Sequence, residues 1–281
     1  PKDLPEKIKK KFANAYINLL ADKPHLHDKI EFEVAFTTWV PNFINLALAR
    51  LKPYGIIKSD ILKLDKALKK ITCKSFERLK KDIEPINYLS LKRKKIFLSK
   101  NTNISKIINL LYDCKKHGSL PFAHAARAGF ISNILLKNFV DSKYITQQRK
   151  NAFLHSIKTV NGELIEDKDL LKKRKININK LIDKYGHLRP GTYELNNRAY
   201  WEDPKKYFVA NNKSQNAKKS KFVFSINEKI KIKLFLKEVG SNITINNFIK
   251  YLSESIQARE FTKFQFTKNI SNFLPQRFTK K

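Results

Sequence analysis

The chain has 281 residues, with 58 Lys and Arg against 25 Asp and Glu, which gives a formal net charge of +33. Its 42% hydrophobic content and 20 Phe supply the apolar surface for one large core or two ordinary ones, which argues against disorder, while Gly 7 and Pro 10 exclude collagen-like classes. Two cysteines, Cys73 and Cys114, cannot build a disulfide framework or a four-thiolate zinc site, so a reducing, cytoplasmic location is expected.

Ile8, Phe12, Ala15, Tyr16 and Leu19 recur at helical spacing through residues 6–20, and Pro24 closes or follows that helix. Residues 31–36 alternate, with Phe32, Val34 and Phe36 on one face, and form the best strand candidate, with a helix left open over so few residues. Helices are expected over residues 42–51 and over 59–71, the second capped by Ser59-Asp60. Ile104, Ile107, Ile108, Leu111 and Tyr112 mark a helix over 102–116, with Gly118 as a left-handed terminator. An Ala-rich helix is expected over 121–140, another over 146–164 and a shorter one over 176–185.

Periodicity is lost over residues 186–207, where Pro190, Gly191 and Pro204 lie among His, Arg, Trp and Glu. Residues 211–221 read as an exposed polar loop or linker, and helices return over 227–239 and 245–274. The expected fold is mainly α, an irregular multi-helix domain with one or two short strands and a long functional loop. Residues 1–116 would form an N-terminal helical part and 117–281 a helical core carrying that loop.

A nucleic-acid module gathers its positive charge in one groove or arm. Here the surplus is spread as +12, +10 and +11 over residues 1–100, 101–200 and 201–281. The runs Lys92-Arg93-Lys94-Lys95 and Lys172-Lys173-Arg174-Lys175 read as solvated stretches between helices. Nucleic acid is therefore not the expected partner. No apolar run approaches the roughly 20 residues that cross a bilayer, and no membrane partner is expected. Met is absent, so the chain is expected to be a segment of something longer.

The sharpest chemical feature is Tyr185-Gly186-His187-Leu188-Arg189-Pro190-Gly191-Thr192-Tyr193-Glu194. A left-handed Gly186 and a Pro190-Gly191 bend would gather His187, Arg189, Thr192 and Glu194, groups able to bind an anion and move a proton. A purely structural turn is the alternative. His124 and Arg127, three apart on the Ala-rich helix, form a second cluster, against which stands the reading of a packed histidine. Arg259, Glu260 and Lys263 form a third, with an ordinary ion pair as its alternative. His25-Leu26-His27-Asp28 is a weak metal pattern, and no metal is expected. No Gly-rich phosphate loop or nucleophile elbow is present.

Residues 153–163 (Phe-Leu-His-Ser-Ile-Lys-Thr-Val-Asn-Gly-Glu), the 185–194 motif, Arg198, Trp201-Glu202-Asp203-Pro204 and Tyr207-Phe208 together resemble phosphoenolpyruvate synthase-like proteins. Residues 120–128, 258–264, 266–271 and 26–33 resemble the same family, in the same order. The plan is similar to that of rifampicin phosphotransferases. There an ATP-grasp part phosphorylates a histidine on a swivelling domain, which then visits an acceptor held by an intervening helical region. The resemblance covers that intervening region alone.

It implies an acceptor-binding segment of an ATP-dependent phosphotransferase, inactive by itself. Its partners would be the ATP-grasp and swivelling phosphohistidine domains of the same parent chain and a small-molecule acceptor. ATP and Mg would belong to the complete enzyme and not to this segment. His187, Glu194 and His124 are the candidate proton-transfer groups. Arg127, Arg189, Thr192, Tyr193, Arg259, Glu260 and Lys263 are the candidate acceptor-binding groups. A basic helical nucleic-acid-binding module and a structural spacer between catalytic domains are the competing readings.

Overall fold

The computed structural model describes residues 1, 3–191, 196–209 and 222–271. Among the described residues there are eleven α-helices, several joined by short 3-10 and π turns, and no strand. The chain divides into two compact units, one of residues 1–79, 127–154 and 222–255, the other of residues 80–126, 155–221 and 256–281.

In the first unit, helix α1 (Glu6–Asp22) buries Ile8, Phe12, Ala15 and Leu19, the stripe its spacing dictates. The expected strand is instead a π turn, Ile30–Val34, closed by the Ala35 amide donating to the Ile30 carbonyl at 2.8 Å. A lone strand would leave its backbone groups without partners, and the turn satisfies them locally. The alternating side chains do not share a face. Phe32 meets Phe130 edge-on at 5.1 Å, Phe36 meets Phe43 at 5.1 Å, and Val34 is buried with Leu19 and Leu26.

Helix α2 (Phe43–Leu51) follows Asn42, which adopts a left-handed conformation (φ 62°). Helix α3 (Lys58–Ile83) runs well past the expected end at residue 71, because Thr72, Phe76 and Leu79 continue its buried stripe. The core of this unit is aromatic. Phe248 lies against Phe235 at 5.5 Å, Phe76 at 5.1 Å and Phe139 at 6.3 Å, and Trp39 stacks on Phe235 at 6.0 Å. Helix α10 (Ile226–Val239) opens with a capping box between Ser225 and Glu228 and ends at left-handed Gly240 (φ 79°).

In the second unit, helix α4 (Ile86–Leu98) occupies sequence expected to be a solvated link. The basic run lies inside it, with Lys94 and Lys95 exposed. Arg93 is buried, donating to Asn269 Oδ1 at 2.7 Å and Gln265 Oε1 at 3.0 Å, and Lys92 bonds Asp113 at 2.9 Å. Helix α5 (Asn103–Asp113) is capped by Thr102, whose hydroxyl accepts from the Ser105 amide. A π turn, Cys114–Gly118, leads directly into α6 (Ser119–Asp141).

Gly118 is therefore not a left-handed terminator. Its glycine is needed because a Cβ there would meet the Phe266 ring at 2.8 Å. The helix expected over 146–164 is two: α7 (Gln147–Ser156), which belongs to the first unit up to Leu154, and α8 (Val160–Lys172) in the second. Thr159 starts α8 by accepting from the Gly162 amide. Helix α9 (Ile178–Tyr185) is capped by Asn177, and α11 (Ile245–Ser271) closes the described chain. The expected linker at 211–221 and residues 272–274 lie outside the described residues.

Candidate functional site

The loop after α9 is positioned from both ends. Tyr185, the last residue of α9, is fully buried with Leu164, Leu181 and Phe208. Its hydroxyl donates to Asp167 Oδ2 on α8 at 2.7 Å, and the Lys184 ammonium bonds the same oxygen at 2.8 Å and Glu163 at 3.3 Å. Burial would push the Asp167 carboxyl up, but the hydrogen bonds from Lys184 and Tyr185 outweigh it and hold it below its ordinary range. Burial raises the Tyr185 hydroxyl. Lys184 is raised, because its bonds to Asp167 and Tyr185 outweigh the opposing effect of burial.

Beyond α9 the chain turns back on itself. The Trp201 amide donates to the Gly186 carbonyl at 3.0 Å and the Tyr200 amide to the Leu188 carbonyl at 2.9 Å. Gly186 is right-handed (φ −55°), contrary to expectation. A side chain there would collide with the Ile182 carbonyl oxygen and press on Trp201 at 3.2 Å. The left-handed glycine is Gly191 (φ 65°). Arg189 donates to the Asn197 carbonyl and lies 3.8 Å from Glu202, with 10% of its side chain exposed. Asn197 in turn donates to the Pro190 carbonyl at 2.6 Å. Arg189 thus fastens the two limbs of the loop.

His187 is 3% exposed, with its ring against Phe264 of α11 at 4.7 Å between centroids. Phe264 also meets Tyr185 at 6.0 Å. Lys268, one turn on, donates to the Asp183 and Lys184 carbonyls at the end of α9, and Ser271 donates to the His187 carbonyl at 3.4 Å. The third cluster lies on this same segment of α11, with Arg259 exposed and Glu260 and Lys263 half-buried. Phe122, two residues before His124, stacks on Phe266 at 5.6 Å. His124 itself is 30% exposed, with Nδ1 3.4 Å from Asp82 Oδ1.

Two segments far apart in sequence therefore each pack on α11 within the second unit, residues 183–187 through Phe264, Lys268 and Ser271 and the start of α6 through Phe266. Arg127 is exposed and belongs to the first unit. Thr192, Tyr193 and Glu194 lie outside the described residues. His27 lies beside Asp28 at 3.1 Å on the surface. Among the described residues no group of three or more His, Cys, Asp or Glu could hold a metal ion.

Sequence reasoning missed two arrangements. Glu163 and Asp167, four apart on α8, face Lys184 and Tyr185, and that spacing was legible beforehand. The buried Arg93–Asn269–Gln265 network carried no signal, because Arg93 is masked among exposed lysines. Beside it, the Cys114 thiol is pushed up to about 11 by burial. The chain matches no protein-family model, no curated protein and no solved structure.

Proposed function

We propose that the chain is the acceptor-binding region of a phosphoenolpyruvate synthase-like phosphotransferase, receiving a phosphoryl group from a phosphohistidine carried on a separate domain. The observation that supports this reading is that α11, which carries Arg259 and Lys263, also holds the histidine- and arginine-bearing loop through Phe264 and Lys268 and the His124-bearing start of α6 through Phe266. Phosphoryl transfer depends chiefly on positioning and on cations that spread the charge of the transferring group.

The exposed Arg259 and the neighbouring Lys263 are suited to contact the anionic acceptor. His124, part-exposed and oriented by Asp82, is suited to take the acceptor's proton as its oxygen attacks phosphorus and the P–N bond to the donor histidine breaks. His187 and Arg189, nearly enclosed, hold the loop in place. ATP and magnesium are assigned to the ATP-grasp domain, and no step here runs through them.

Thermal denaturation of the 281-residue chain with phosphoenolpyruvate, pyruvate or inorganic phosphate tests this. A ligand present at a hundred times its Kd stabilises by about 2.7 kcal/mol. Phosphoenolpyruvate or pyruvate is expected to raise the midpoint of the parent chain and not that of Arg259→Ala/Lys263→Ala. Equal stabilisation of both, or stabilisation by phosphate alone, overturns the reading.

A further inference from the structure

Helix α5 carries its apolar stripe on the wrong side for a helix that packs on a core. Ile104, Ile108, Leu111 and Tyr112 fall on one face by their spacing and are 72%, 59%, 50% and 58% exposed. The opposite side holds Leu110 at 0% and Asp113 at 5%. An amphipathic surface helix normally buries the stripe and wets the polar face. Leu98 just before this helix and Leu120 just after it are also exposed, at 87% and 63%.

The sequence flanking the ridge is cationic. Between Pro85 and Ala126 the only acidic residue is Asp113, and it is buried and bonded to Lys92 at 2.9 Å. Lys94, Lys95, Lys100, Lys115 and Lys116 are exposed, and Lys106 is half-buried. Lys116 lies over the Tyr112 ring at 5.7 Å, beside the stripe.

We propose that α5 lies on an anionic lipid surface, with Ile104, Ile108 and Leu111 entering the boundary between headgroups and acyl chains. The lysines bind lipid phosphates and carboxylates, and Tyr112 sits at headgroup level. The occupant has to accept a projecting ridge and supply negative charge. A second copy of the chain brings the same positive charges face to face. A polyanion such as nucleic acid serves the lysines but leaves the aliphatic ridge in water. An anionic bilayer surface answers both, with each nearby Lys contributing about 1 kcal/mol and each buried methylene adding to it. Among the described residues no helix is long and apolar enough to cross a membrane, so the contact is peripheral. The sequence expectation of no membrane partner rested on the lack of a spanning segment, which a surface-lying helix does not require.

The test is sedimentation of the 281-residue chain with vesicles of phosphatidylcholine plus phosphatidylserine, and with phosphatidylcholine alone. Binding is expected to the anionic vesicles only. Ile108→Ser/Leu111→Ser keeps the charge, and is expected to weaken that binding at least about tenfold with an unchanged circular dichroism spectrum. In a second variant, Tyr112→Trp, fluorescence is expected to shift to the blue and to be quenched by brominated acyl chains. No binding to anionic vesicles overturns the proposal. So does equal binding by the double variant, which would make the attraction charge alone. A concentration-dependent dimer that the double variant abolishes, without vesicle binding, assigns the ridge to self-association and also overturns it.

Discussion

Replacing Asp167 by Ala, Tyr185 by Phe, and both together, probes the anchor that sets the start of the candidate loop. Tyr185 is wholly buried and gives its hydroxyl proton to Asp167 at 2.7 Å. A hydrogen bond to a charged acceptor is worth about 1.5–3 kcal/mol, and Tyr185→Phe should cost near the lower end because Asp167 keeps Lys184. Asp167→Ala leaves a buried hydroxyl without its acceptor, which costs about 1–3 kcal/mol. The lost Lys184 contact adds only about 0.2–1 kcal/mol, since that ammonium is 40% exposed and keeps Glu163 at 3.3 Å.

Each single variant should therefore lose about 2 kcal/mol, and the pair should fall short of the sum by about 1–2 kcal/mol. In thermal denaturation followed by circular dichroism, 2 kcal/mol corresponds to a midpoint lower by about 4–8 °C. The effect should be pH-dependent. The Asp167 carboxyl is held below its ordinary range, so its contribution is present above the unfolded value near pH ~3.9 and disappears as pH falls through the folded value. Single variants within about 0.5 kcal/mol of the parent, or strict additivity, would refute the anchor.

Gly118→Ala should destabilise by about 1–3 kcal/mol, since its Cβ would press on a Phe266 ring already stacked against Phe122; an unchanged urea midpoint would contradict this. Phe248→Ala removes the centre of the first unit's aromatic cluster and should cost about 3–5 kcal/mol, measured by denaturant unfolding. Glu228 is held low chiefly by its paired hydrogen bonds from Arg149, so its stabilisation is present above the ordinary carboxylate range and is lost on acidification. Glu228→Gln should remove that part of the pH–stability curve. Cys114, buried and pushed up to about 11, should react with thiol reagents at neutral pH far more slowly than free thiol, and prompt labelling in the folded chain would argue against its burial.

The helices were legible wherever an apolar stripe recurred at helical spacing, as in α1, α5 and α9, and where a cap residue stood at the start. Their limits were less so. Helix α3 outruns its expected end because packing at Phe76 and Leu79 overrides the weak local preference of Thr72 and Cys73. Helix α4 was missed because four consecutive basic residues hide the buried Ile86, Leu89 and Arg93. The alternation at residues 31–36 imitated a strand, since period-two patterns over so few residues fit a tight turn equally well. Four of the five boundaries between the two units fall inside helices, α3, α6, α7 and α11, where the helical pattern runs on unbroken and gives no local sign of them.

Of the candidate site, the loop and the Arg259–Lys263 segment were visible as chemistry in the sequence. The loop's packing on the same helix through Phe264 and Lys268 was not, because a contact between residues some 80 positions apart leaves no local pattern.

Chemical-shift mapping of the isotope-labelled 281-residue chain, titrated with phosphoenolpyruvate, tests the acceptor-binding role most directly. The account predicts saturable shifts confined to the second unit, at His124, at residues 186–191 and at Arg259–Lys263. Shifts scattered over surface lysines of both units, growing in proportion to ligand without saturating, would contradict it.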